Sequence, residues 1–148
     1  MRFSLMLAVA SIAAATPAPG ATGQQIFSRC AACHLPTGAG VPGAYPPLRD
    51  DVRALARKAD GRRYLVHVVI RGLSGPITVE GKPYRGTMPM QGGLDDEAVA
   101  AVLTYLTGTL ATGPGPAPTP FTAAEVKRVR EGAAAMSGAD VARSQPRP

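Results

Sequence analysis

Two cysteines and a histidine constrain this chain more than any other sequence feature. The segment Cys30-Ala31-Ala32-Cys33-His34 holds the only two cysteines among the 148 residues. On a helical turn, residues three apart lie on one face, so both thiols can reach two carbons on one edge of a porphyrin. The imidazole of His34 then emerges under the ring, where a nitrogen can bind iron. The motif therefore predicts one covalently attached c-type haem, tethered by Cys30 and Cys33 and ligated by His34.

Two other uses of these thiols deserve comparison. A thioredoxin-type disulfide needs a strand and a helix around the motif, but a Pro/Gly-rich segment at residues 35–48 follows it. A zinc site would need further ligands, and no other cysteine is present to complete one. Haem attachment is the interpretation that we favour.

The composition agrees with a domain built around a cofactor. The chain is long enough for one domain with its own core. Trp is absent, and aromatic residues make up only 5% of the sequence. A core of that kind would be thin unless a large apolar group filled its centre.

Residues 1–21 predict a cleavable export signal. Arg2 supplies the positive start, and an apolar run follows at residues 3–15. Small residues then offer cleavage after Ala15, Ala18 or Ala21. The run is shorter than the roughly 20 residues that cross a bilayer, and no other segment is long enough. We therefore expect a periplasmic protein without a stable membrane span.

The charge distribution indicates what kind of partner protein this chain can bind. The chain has a formal charge of +6, and residues 22–108 carry ten Lys or Arg against seven Asp or Glu. A mildly basic surface can steer an acidic partner protein, so we expect redox partners with an acidic docking surface. Nucleic acid is a poor candidate for an exported chain with so few aromatic residues.

Four helices are predicted in the core. The first begins at a capping box of Thr22 and Gln25 and runs into the cysteine motif. The others are residues 50–58, a helix around residues 64–70 ended by Gly72, and a helix capped by Asp95 and ended by Gly108. Residues 75–89 are expected to be loop, with a small hairpin around Glu80-Gly81-Lys82.

The C-terminal third differs from the core in composition. Residues 109–120 are rich in Pro and Gly and predict a stiff, extended linker. Residues 121–148 are a C-terminal extension that we expect to be partly helical or disordered. A short helix over residues 121–135 would carry Val126 and Val129, and the last dozen residues are expected to be disordered. The extension either packs back on the core or docks a partner.

The second axial ligand of the iron has several candidates. Met88 is favoured because Pro89 restricts it to extended geometry in a rigid loop that can aim the sulfur. Met90, His67 and Met136 are the alternatives. A methionine before proline is also a common core residue, so the spacing alone leaves the choice open.

Further residues are candidates for the surroundings of the haem. A metal-bound histidine usually gives its other N–H to an acceptor, and the loop Tyr45-Pro46-Pro47-Leu48 could supply a backbone carbonyl for His34. Side chains that could bond a haem propionate are Arg62, Arg63, Tyr84 and Arg85.

Taken together, these segments resemble a bacterial class I cytochrome c over about residues 20–108. The matching parts are Gly23, Phe27, the cysteine motif, Tyr45–Leu48, residues 81–90 (GKPYRGTMPM), 94–97 (LDDE) and 103–106 (LTYL). The resemblance implies an all-α class I cytochrome c fold around one covalent haem, with His34 and Met88 as axial ligands. It also implies that Gly23 and Phe27 meet Val102 and Tyr105 where the first and last core helices cross.

The resemblance further implies a mono-haem electron carrier and not an enzyme. Its iron would cycle between Fe(III) and Fe(II), between periplasmic or membrane-bound dehydrogenases, oxidases or reductases. One alternative is a haem-based sensor or peroxidase-like enzyme with a vacant or labile sixth position, for which His67 and Arg71 are the best acid–base pair. Another is a permanent electron-transfer subunit of a dehydrogenase or oxidase complex.

Overall fold

The computed structural model describes residues 20–148, so the predicted export signal lies almost wholly outside the described residues. Within them the chain forms seven α-helices and one β-hairpin. The helices are α1 (Gly23–Phe27), α2 (Ala31–His34), α3 (Asp50–Leu55), α4 (Ala59–Arg71), α5 (Asp96–Tyr105), α6 (Ala123–Gly132) and α7 (Gly138–Arg143). The hairpin strands are β1 (Leu73–Val79) and β2 (Lys82–Met88), between α4 and α5. None of the helices in this part of the chain is long and apolar enough to cross a bilayer.

The start of α1 follows its sequence signal, but the end does not. Thr22 and Gln25 form the predicted capping box. The helix then stops at Phe27 instead of running into the cysteine motif. The N–H groups of residues 28–30 bond carbonyls three residues back, which tightens the chain into a turn before α2 begins.

The crossing of α1 and α5 depends on a close backbone approach. A Cβ atom placed on Gly23 would clash with the carbonyl oxygen of Ala101 and lie 2.7 Å from Cβ of Tyr105. The rings of Phe27 and Tyr105 have centroids 5.8 Å apart. The implied crossing is therefore present, with Ala101 rather than Val102 as the nearest neighbour of the glycine.

The last core helix is capped as the sequence predicts and ends later. The Asp95 carboxylate accepts the N–H of Ala98 at 2.7 Å. After Tyr105 the chain widens into a π-helical turn, Leu106–Leu110, so Gly108 does not end it. The buried Thr107 hydroxyl donates to the Leu103 carbonyl at 2.8 Å, which stabilises this turn.

The hairpin is the first correction to the sequence prediction. All seven residues of β1 pair with β2, in a register that sets Leu73 opposite Met88 and Val79 opposite Lys82. Residues 75–89 are therefore mostly strand, not mostly loop. Alternate residues of β1, at 73, 75, 77 and 79, face one cavity. The period of two was hidden because Gly75 and Pro76 interrupt the apolar pattern.

Three arginines hold the Pro/Gly-rich linker against the core through hydrogen bonds. Arg53 and Arg57 on and after α3, with Arg62 on α4, donate to backbone carbonyls between residues 107 and 120. Proline cannot donate a hydrogen bond, but its carbonyl accepts, so guanidinium groups can hold such a segment. The linker consequently runs along the surface of the core.

The extension packs back on the core, and its last part is ordered. Helix α6 lies on α4 and α5, and α7 lies on β1 and α4. Val126 and Val141 are both 0% exposed. The expectation of disorder over the last dozen residues is therefore wrong. The signal that would have corrected it is a capping box, Ser137 with Asp140, followed by the apolar pair Val141 and Ala142.

Candidate functional site

A mostly apolar cavity of about 220 Å³ lies between the cysteine motif, helices α3 to α5 and the hairpin. Cys30, Cys33, His34 and Met88 all line it. The structure thus brings the four sequence-predicted site residues to one cavity. Helix α5 contributes Val102 and Leu103, the π-helical turn after it contributes Leu106, and α4 contributes Tyr64, Leu65, Val68 and Val69.

The two thiols are half-buried and unbridged. Burial raises the pKa of the Cys30 thiol, and the nearby Arg29 charge offsets this only in part. Reactive cysteines of the thioredoxin type have a lowered pKa instead. The segment after His34 is a loop, not the helix of a redox motif. Both observations argue against a catalytic disulfide.

His34 is oriented by a backbone carbonyl. Its Nδ1 lies 2.9 Å from the oxygen of Pro46. Since a carbonyl only accepts, Nδ1 carries the proton and the lone pair is on Nε2. Burial lowers the pKa of the ring, with the Pro46 bond acting in the opposite direction, so the neutral, metal-binding form is favoured. The loop does supply the acceptor predicted for it.

Gly40 allows the Pro46 carbonyl to lie close to His34. Its φ is +64°, and its N–H donates to the His34 carbonyl at 2.9 Å. A Cβ atom at Gly40 would lie 2.6 Å from the Pro46 oxygen. Only glycine allows the loop to close so tightly over the histidine.

Met88 lies at the end of a strand. It is the last residue of β2, it is half-buried, and it packs against the core cluster. Gly72, with φ of +72°, holds the backbone after it, because a Cβ atom there would lie 2.5 Å from the Met88 oxygen and 2.8 Å from the Met90 nitrogen. Met90 is 62% exposed and does not line the cavity.

His67 does not line the cavity either. It is buried on the side of α4 that faces α6, close to the backbone of Val129. Burial lowers its pKa, and the charges of Arg63 and Arg71 add to this. The Arg71 guanidinium bonds the carbonyls of Met136 and Ala134. His67 and Arg71, the pair proposed as a distal acid and base, thus contact the C-terminal extension and not the cavity.

The structure separates the candidates for a haem propionate. Tyr84 and Arg85 line the cavity. Arg62 does not, because its guanidinium pairs with Glu125 and stacks on the Phe121 ring. Arg63 is exposed and lies outside the cavity. Tyr64 faces the cavity as well, and burial raises its pKa to about 12, so its hydroxyl stays neutral.

Sequence reasoning missed three residues of this site. Gly40 and Gly72 have no side chain to attract notice, and only the folded backbone shows what they exclude. Gln145 lines the cavity from the end of the extension. A local signal for it did not exist, because it reaches the site through the packing of α7.

The residues present fit a c-type haem. Two thiols for the tether, a neutral imidazole with its lone pair on Nε2 and a thioether are the groups such a cofactor uses. The apolar walls suit the porphyrin faces, and tyrosine and arginine at the cavity suit its polar edge. Among residues 20–148, no cluster of three or more His, Cys, Asp or Glu offers a competing metal site.

Comparisons with known proteins agree with this geometry. The Cytochrome c family model matches residues 20–110. Cytochrome c-552 of Thermus thermophilus is 44% identical to this chain over 115 residues, which cover 74% of this chain and 85% of the relative. A second cytochrome c-552 of the same species is equally similar, with 75% of its length covered. The chain therefore belongs to the cytochrome c family, and it is an electron carrier with a covalently bound haem c.

Proposed function

We propose that residues 22–108 form a domain whose haem iron is held by His34 and Met88 and that carries single electrons in the periplasm. The observation that supports this most strongly is the shared cavity. His34 and Met88 line it together with both cysteines, while Met90 is exposed to solvent and His67 faces α6. Bound haem supplies a one-electron Fe(III)/Fe(II) couple.

The chain's own residues suit an electron carrier. Pro46 holds the His34 ring in one tautomer and one orientation. A thioether opposite histidine favours the reduced iron and raises the potential. The mostly apolar walls of the cavity would limit the water beside a bound haem, so that little rearrangement would accompany a change of charge. All of these features favour a closed site that exchanges electrons without binding a substrate.

The contacts of Arg71 and His67 argue against a peroxidase-like enzyme. Such an enzyme needs an open iron face with an acid–base pair beside it, whereas a sensor needs only a vacant or labile sixth position. Arg71 is bonded to the carbonyls between α6 and α7, and His67 lies under α6, outside the cavity. Neither side chain is available at the predicted haem.

The packing of the extension favours a transient carrier over a permanent subunit. Its large apolar side chains, Phe121, Val126 and Val141, are buried against its own core. It therefore offers little apolar surface to a permanent partner. Exposed Arg29 next to Cys30, and Arg85 at the cavity, suit short-lived docking on an acidic surface of a redox enzyme.

The test is a matched pair of methionine variants. Visible spectra of the exported protein are recorded oxidised, reduced, and reduced with carbon monoxide. We expect the wild type to be low-spin and indifferent to carbon monoxide, because His34 and Met88 would both hold the iron. Met88→Ala should keep covalent haem, bind carbon monoxide promptly and have a lower potential. Met90→Ala should behave like the wild type. Carbon monoxide binding in Met90→Ala but not in Met88→Ala would reverse the ligand assignment.

A further inference from the structure

The C-terminal helix α7 lies on the strand that pairs with the Met88 strand. A Cβ atom placed on Gly138, the first residue of α7, would lie 3.2 Å from the Ser74 nitrogen and 3.3 Å from the Leu73 carbonyl carbon. One turn later, Cβ of Ala142 would lie 3.8 Å from a Cβ placed on Gly75. The helix therefore rests directly on the backbone of β1, with no side chain between them at Gly138.

Gln145 extends this contact along the free edge of β1. Its Oε1 accepts the N–H of Thr78 at 3.0 Å, and its Nε2 donates to the Thr78 carbonyl at 2.6 Å. A side-chain amide with this pairing takes the place of a neighbouring strand, and it satisfies an edge that would otherwise be open. The same side chain lines the haem cavity.

The strand register carries this contact to Met88. Leu73 pairs with Met88, and Ser74 pairs with Thr87. The residues under the start of α7 are thus the partners of the last two residues of β2. Arg71, which bonds the carbonyls of Ala134 and Met136, fixes the chain that leads into α7 to the end of α4. Helix α7 is held at one end by Arg71 and beyond its other end by Gln145.

We propose that α7 and Gln145 are positioning elements for the sixth ligand, which hold the hairpin against the cavity so that Met88 stays on the iron. This inference rests on the proposed ligation by Met88. The extension then contributes to the haem site itself. Loosening α7 raises the fraction of molecules in which the thioether leaves the iron and another ligand can enter.

Two buried valines of the extension give a matched test. Val141 on α7 and Val126 on α6 are both 0% exposed, but α7 packs on β1 while α6 packs on α4 and α5. The haem-loaded full chain is prepared as Val141→Ala, Val126→Ala and Gln145→Ala, with Met88→Ala as the reference for a missing ligand. Each variant is titrated with imidazole in the ferric state and carbon monoxide in the ferrous state, well below its melting temperature.

We expect Val141→Ala and Gln145→Ala to bind imidazole about threefold more tightly than the wild type, or more, and to bind carbon monoxide at concentrations at which the wild type does not. Val126→Ala should lower the melting temperature about as much as Val141→Ala and leave ligand affinity unchanged. Equal affinities in Val141→Ala, Gln145→Ala and the wild type would overturn the proposal, as would an equal rise in Val126→Ala. If Met88→Ala itself binds no added ligand, the ligand assignment has failed instead, and the two failures are distinguishable.

Discussion

His34 and Met88 face the same cavity, but they are supported by different kinds of structure. His34 directly follows the cysteine tether, and its orienting partner, Pro46, is 12 residues away in the chain. Met88 ends a strand, and its support comes from Gly72, from the pairing with Leu73 and, through that strand, from α7 about 50 residues later. One proposed ligand is held locally, the other by long-range packing.

This difference predicts which side of the site is disturbed more easily while the rest of the protein stays folded. The histidine side is closed by a covalent tether and a short loop, so it is disturbed only together with haem binding or folding. The methionine side depends on contacts between separate elements, each of which can loosen while the rest stays folded. Changes near His34 should therefore cost stability, and changes near Met88 should mainly open the iron to other ligands.

The largest effect is expected from removing the tether. With Cys30→Ala and Cys33→Ala together, no thioether bond can form. Haem should then be extracted completely by acidic organic solvent, whereas the wild type should retain it. Pigment that stays with the double variant after extraction would contradict covalent attachment through these thiols.

On the histidine side, Gly40→Ala should be strongly destabilising. The new methyl group meets the Pro46 oxygen, and alanine is strained at a φ of +64°. The free energy of unfolding should fall by about 2–4 kcal/mol, measured by denaturant titration. Gly43→Ala is the control, since Gly43 has φ of +77° but open space around it. An equal loss in both variants would show that strain, not contact with the carbonyl, sets the cost.

On the methionine side, Gly72→Ala should make the haem iron accessible to added ligands. Its methyl group meets the Met88 oxygen and should push the Met88–Pro89 peptide away from the cavity. We expect carbon monoxide binding in the reduced protein, with covalent haem retained and a loss of about 2–3 kcal/mol in unfolding free energy. Gly81→Ala, in the turn of the hairpin at φ of +72° with open space around it, is the control. If reduced Gly72→Ala does not bind carbon monoxide, the contrast between the histidine side and the methionine side is weakened.

The smallest effect concerns the ion pair that anchors the extension. Arg62 donates to both carboxylate oxygens of Glu125 at 2.7 Å, and these bonds hold the pKa of Glu125 below its ordinary value of 4.5. Because the folded pKa is lowered, the stabilisation is present above pH 4.5 and is lost as the pH falls through the folded value. Glu125→Gln should cost about 1–2 kcal/mol of unfolding free energy at pH 7.

The pH dependence sharpens this prediction. Denaturant titrations at several pH values below and above 4.5 should show a smaller decline in acid for Glu125→Gln than for the wild type. Glu131→Gln removes an exposed pair with Lys127 and should change little. Parallel pH profiles for the wild type and Glu125→Gln would mean that this carboxylate does not stabilise the docked extension.

Much of the site could be predicted from local sequence. The cysteine motif needs only the geometry of one helical turn. The caps at Thr22 and Asp95 need only neighbouring backbone groups. The Pro46 carbonyl was within reach because the loop is short. Each of these features is decided by atoms a few residues apart, so the residue types and their spacing are enough.

The placement of the two methionines was decided only by the tertiary structure. The sequence left Met88 and Met90 as competitors, and the fold turned one toward the cavity and left the other 62% exposed. The extent of the hairpin, the position of His67 under α6 and the order of α7 were missed for the same reason. They depend on which apolar faces meet across the molecule. That choice is a sum over contacts between distant residues, and local spacing does not contain it.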